Sequence, residues 1–119
     1  MKNKIAISLM LSIFAIPALA GKVHIKNGNN KDLIVYIQAE GSVSEDLHWM
    51  EFTMPANGMR DITITDKDMG GKATFYIQGK TNPLTPRGTC SNLSTTKDYV
   101  ITFKNLNIGT ECHCEMAKK

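Results

Sequence analysis

From residue 22 onward the chain never sustains apolar residues at helical spacing. Its apolar side chains come in runs of strand length, alternating or continuous, and each run is stopped by Gly, Asn, Asp or Pro. A chain punctuated in this way can hide its apolar surface only by stacking sheets, which makes it all-β. The expected strands cover residues 22–27, 32–39, 46–54, 60–65, 72–79, 98–104 and 110–116. Two of them, around Leu33-Ile34-Val35-Tyr36-Ile37 and Ala73-Thr74-Phe75-Tyr76-Ile77, are apolar on both faces, the mark of central strands covered from each side. About seven short strands in one domain predict an antiparallel two-layer β-sandwich of immunoglobulin-like type, with a small closed β-barrel as the alternative.

The breaks carry turn chemistry. Asn27-Gly28-Asn29-Asn30, Pro55-Ala56-Asn57-Gly58 and Asp66-Lys67-Asp68-Met69-Gly70-Gly71 all supply residues that tolerate positive φ, so successive strands are expected as antiparallel neighbours. The third of these resembles the start of a calcium loop, but its fifth position is Gly70 and its twelfth is Ile77, where a bidentate Glu is needed. It is read as a hairpin turn. Residues 80–97 break the rhythm with Pro83, Pro86, Gly88 and several Ser and Thr, and are expected as one long connection that carries Cys90. Tyr36-Ile37-Gln38-Ala39 and Tyr76-Ile77-Gln78-Gly79 are similar, but the segments before them are out of phase, so two central strands choosing like residues explains them better than duplication.

The first twenty residues have the three parts of a secretory signal. Lys2 and Lys4 precede an apolar stretch from Ile5 to Ile16, and Pro17 leads into Ala18-Leu19-Ala20, whose small residues suit cleavage after Ala20. The apolar stretch is well short of the roughly 20 residues that cross a bilayer as a helix. Residues 1–20 are therefore expected to be removed, and residues 21–119 to form a single domain in the periplasm or outside the cell. The residue directly after the cleavage site is Gly21 rather than Cys, so no acylated N-terminal Cys and no stable membrane anchor are expected. Without the signal, 12 basic side chains face 11 acidic ones. Such a nearly neutral chain, with no run of Lys or Arg, offers no electrostatic footprint for nucleic acid or an anionic membrane.

All three cysteines, Cys90, Cys112 and Cys114, fall in a chain expected to meet oxidising conditions. On a strand Cys112, Cys114 and Met116 point one way, and Glu111, His113 and Glu115 the other. Residues i and i+2 of a strand sit about 6.5 to 7 Å apart, at the edge of disulfide geometry, so Cys90 is expected to pair with Cys112 or Cys114. The sulfurs of Cys112, Cys114 and Met116 are the first soft-metal set considered, for copper or zinc. His48, Met50 and Met54, which share a face with Phe52, are the second. A disulfide consumes two of three thiols, and Met50, Phe52 and Met54 also make an ordinary core stripe. Neither set is taken as a metal site, and no cofactor is expected.

Trp49 lies opposite that stripe beside Glu51 and is the candidate contact surface. There is no Gly-x-Ser-x-Gly elbow, no His-Glu-x-x-His pair and no glycine-rich phosphate loop. The functional expectation is an exported, non-enzymatic module that binds another macromolecule through loops, chiefly 41–46 and 80–97, or through Trp49. A protein is the expected partner and a glycan the alternative, and a secreted factor acting on a host or competitor fits the same class. The competing expectations are a periplasmic copper or zinc binder and a small hydrolase with a carboxylate pair.

Overall fold

The computed structural model describes residues 20–41, 49–82, 84, 86–106 and 109–117. The signal pattern up to residue 19, and residues 42–48 with most of the 41–46 loop, lie outside the described residues. Eight strands follow in order: β1 (Ala20–Asn27), β2 (Leu33–Ala39), β3 (Met50–Met54), β4 (Met59–Thr65), β5 (Thr74–Lys80), β6 (Gly88–Ser94), β7 (Tyr99–Asn105) and β8 (Thr110–Met116). They form two four-stranded sheets, ordered β4-β1-β7-β8 and β3-β2-β5-β6. Among the described residues there is no helix, and the two sheets stay open rather than closing into a barrel. The all-β sandwich is thus the observed architecture, and β2 and β5, apolar on both faces, are the central strands of their sheet.

Three expectations are corrected. Residues 80–97 are not one connection, because Gly88–Ser94 pairs with β5 as the edge strand β6. Its Ser, Thr and Asn content hid it, and its register with β5 shifts, with Asn92 at φ 57°. Successive strands are neighbours only in β2-β3, β5-β6 and β7-β8. The Asn27, Pro55 and Asp66 turns instead carry the chain from one sheet to the other. Nor is every pair antiparallel, since β1 lies between β4 and β7 and runs parallel to β7. Positive-φ residues reverse the chain equally well within a sheet or between sheets, so turn composition cannot tell an arch from a hairpin.

Alternation places Val23 and Ile25 of β1, Ile62 and Ile64 of β4, and Ile101 and Phe103 of β7 against Leu33, Val35, Ile37, Phe75 and Ile77 of the facing sheet. Each such side chain contributes about 1.5 to 3 kcal/mol when fully removed from water. Met50, Phe52 and Met54 of β3 face the same interior, and the Arg60 guanidinium covers the Phe52 ring at 4.2 Å where the sheets part. Met69, in the Asp66 turn, is buried and plugs one end of the core.

Asn27 is a buried polar side chain at the first arch. Its Nδ2 donates to the carbonyls of Lys31 at 2.9 Å, Pro55 at 3.0 Å and Met54 at 3.3 Å, and its Oδ1 accepts from Asn29 N–H at 3.0 Å. One amide therefore ties the β1-β2 arch to the β3-β4 arch. The repeated Tyr-Ile-Gln has a simple origin. Antiparallel pairing centred on Ile37 and Ile77 sets Tyr36 opposite Gln78 and Gln38 opposite Tyr76, and the Tyr76 hydroxyl donates to Gln38 Oε1 at 2.7 Å.

Gly79 is required by space. A Cβ there would lie 2.8 Å from Cε1 of the Phe103 ring, which packs flat on the β5 backbone. Gly79→Ala is expected to cost about 1 to 3 kcal/mol in urea unfolding. Combined with Phe103→Leu it should cost at least about 1 kcal/mol less than the sum of the two single changes. Additive losses would show that the ring is not the obstacle.

Candidate functional site

The β6 edge of one sheet and the β8 edge of the other come together on one flank. At Gly88 the backbones touch, since a Cβ there would stand 2.6 Å from the Thr110 carbonyl oxygen. Two residues further along β6, Cys90 is joined to Cys112 of β8, with Cα atoms 5.7 Å apart. The bond is a rivet between sheets at the point where neither is covered by a further strand.

Immediately beyond it are two loops, 81–87 between β5 and β6 and 106–109 between β7 and β8, and they are held to each other. Thr81 Oγ1 donates to Asn105 Oδ1 at 3.3 Å, and Thr110 N–H donates to the Pro86 carbonyl at 3.2 Å. Within the first loop Leu84 N–H donates to Asn82 Oδ1 at 2.9 Å; within the second Leu106 N–H donates to the Gly109 carbonyl at 3.0 Å. Beside these bonds the side chains of Leu84 and Leu106 are 92% and 54% exposed. Beside them, Arg87 lies 4.6 Å and Lys80 5.4 Å from the centre of the Tyr36 ring, and Arg87 Nη1 donates to Gln78 Oε1 at 2.8 Å. Of these, Lys80, Leu84 and Arg87 fall in the 80–97 segment expected to make contacts and Tyr36 was read as part of a central strand, whereas Leu106 did not stand out in sequence. The available signal was an isolated Leu84 among turn-forming residues.

The residues singled out from sequence are dispersed. Cys112 enters the disulfide, while Cys114 is a free thiol on the exposed end of β8 and Met116 is exposed. Burial of the thiol, and then the charge of Glu115, push the Cys114 pKa above its ordinary value, which disfavours the thiolate that a soft metal binds. Met50 and Met54 face the core, and His48 lies outside the described residues. Among the described residues no three His, Cys, Asp or Glu side chains gather as a metal group.

His113, Glu111 and Glu115 occupy the other face of β8, where with Thr102 and Lys104 they line a shallow depression of about 390 Å³. Glu111 and Glu115, four residues apart on a strand, have Cα atoms about 13 Å apart along it. On the same sheet face His24 Nδ1 contacts the Asp61 carboxylate. Trp49 directly precedes β3, is 37% exposed, and lies at the end of the sandwich away from Leu84.

The fold has a counterpart among solved structures. The chain is similar to the T6SS lipoprotein TssJ1 from Pseudomonas aeruginosa, with a TM-score of 0.56 and 10% identity, over 87% of this chain and 99% of that one. The likeness is one of fold. No protein-family model matches the chain, and no curated protein matches it in sequence.

The disulfide closes 22 residues. Cys90→Ser and Cys112→Ser should each lower stability by about 3 kcal/mol under oxidising conditions, whereas Cys114→Ser should stay within about 0.5 kcal/mol of the parent. Equal losses from all three, read by urea denaturation, would contradict the pairing. Because Glu115 raises the Cys114 pKa, Glu115→Gln lowers it and leaves more thiolate at a fixed pH. Iodoacetamide should then label Cys114 faster at about pH 8, and an unchanged rate would remove Glu115 as a cause.

Proposed function

We propose that the protein is an exported, non-enzymatic module that binds another protein through the paired loops at the Leu84 end of the sandwich. One observation carries the reading: beside the Cys90–Cys112 bond between β6 and β8, the backbone around Thr81, Pro86, Asn105 and Thr110 is cross-bonded, and Leu84 and Leu106 stand exposed next to it. Anchoring of the backbone at Thr81, Pro86, Asn105 and Thr110 lowers the ordering that contact through Leu84 and Leu106 would cost.

Two further features support it. The first twenty residues read as a secretory signal, and a disulfide persists in the compartments such a signal leads to. The fold is shared with a T6SS lipoprotein, which belongs to a secretion system. Residence in the periplasm or outside the cell follows from the same reasoning.

Site-specific photo-crosslinking in the native host tests this. A photo-reactive phenylalanine analogue at position 84 or 106 should give discrete protein adducts that the same probe at position 67, on the far end, does not. Absence of adducts at 84 and 106, or the same adducts from all three positions, would overturn the assignment of the contact surface.

A further inference from the structure

The near balance of acidic and basic side chains conceals a separation that only the topology creates. The end that carries Leu84 and Leu106 is also the end where β1, β3, β5 and β7 finish and where β2, β4, β6 and β8 begin. Its charged groups are Lys26, Lys31, Arg60, Lys80, Arg87 and Lys104 against Asp32, Asp61 and Glu111. All six cations are exposed except Lys80, which is half-buried. The opposite end carries, among the described residues, Glu40, Glu51, Asp66, Asp68, Asp98 and Glu115 against four lysines. Among the described residues one end of the domain thus has a basic excess and the other an acidic one.

The cations also surround the apolar tips rather than lying on one side. Lys26 and Lys104 project from the outer face of one sheet. Lys80 and Arg87 are held over Tyr36 on the outer face of the other, and Arg60 caps the β3-β4 flank over Phe52. Among the described residues none of them has a carboxylate within ion-pair distance. Building on the interaction-module reading, we propose that this end docks a protein whose contact face presents Asp and Glu side chains around an apolar recess that receives Leu84. Charge complementarity of this form speeds encounter and fixes orientation, while the leucine in its recess supplies the buried contact. A flat bilayer fits the arrangement less well, because Lys80 and Arg87 are drawn along the sheet face by the Tyr36 ring, away from the loop tips.

The photo-crosslinker at position 106 is read in the full chain, in cells, against two pairs of charge reversals of equal size. Lys31→Glu with Lys104→Glu alters the basic end and should cut the adduct yield by at least about tenfold. Lys67→Glu with Lys72→Glu makes the same change in net charge at the far end and should leave the yield unchanged. Lys31→Ala with Lys104→Ala should give an intermediate loss, and thermal melting checks that all three variants fold. With the adduct partner identified by mass and purified, the Kd should rise by about an order of magnitude between roughly 0.05 and 0.3 M NaCl.

An adduct indifferent to the Lys31 and Lys104 reversals, or one lost equally with the Lys67 and Lys72 reversals, would overturn the proposal while leaving the interaction reading in place. An adduct to lipid or to a second copy of this chain would also overturn it. No adduct at any position would remove the interaction reading itself and the proposal with it.

Discussion

The structure depends on the two sheets burying their inner faces against each other, because neither face can be left in water. Val23, Ile25, Ile101 and Phe103 on one side and Val35, Ile37, Phe75 and Ile77 on the other are fully enclosed only when both sheets are present. Sheet pairing alone would leave each layer with an apolar side exposed, and the connections reflect this. Four of the seven links between successive strands cross from one sheet to the other, so the layers are assembled by interleaving. The buried amide of Asn27 serves the same end by bonding two of these arches where their backbone carbonyls turn inward.

An open sandwich has two flanks where the layers part, and this one closes them by different chemistry. On the β3-β4 flank the guanidinium of Arg60 lies over Phe52, a contact that shields the ring and can still yield. On the β6-β8 flank the backbones meet at Gly88 and the Cys90–Cys112 bond holds them. The covalent flank is also the one from which the 81–87 and 106–109 loops emerge. The bond that holds the sandwich closed therefore lies beside the surface proposed to bind.

Each side of the domain is specialised by position rather than by composition. The outer face of the β2-β5 sheet uses paired Tyr and Gln residues and the cations over Tyr36. The outer face of the β7-β8 pair is polar and shallow, and the loop-bearing end is basic and apolar. The fold shared with TssJ1 at 10% identity shows that the two layers tolerate wide differences in sequence. Inward alternation and a few turn residues suffice for the layers, which leaves the ends free to differ.

Much of the layering was legible in the sequence because alternation reports directly which side chains face inward. The inward β3 stripe of Met50, Phe52 and Met54, the two-sided apolar pattern of β2 and β5, and the split of Cys112 and Cys114 from His113 all follow from a period of two. Strand β6 was not legible: an edge strand of Gly, Thr, Ser and Asn with one buried Cys and one buried Leu carries little hydrophobic signal, and its pairing comes from β5. The arches, the parallel contact of β1 with β7, and the choice of Cys112 over Cys114 depend on which strands meet in space, which local residue types do not encode. The same holds for the charge separation. The sequence by itself determined the all-β class and the inward faces, since burial of alternating side chains is a local constraint. Only the tertiary structure decided that six cations and two leucines share one end, because a strand order with chain crossings between layers brings together residues as far apart as Lys26 and Lys104.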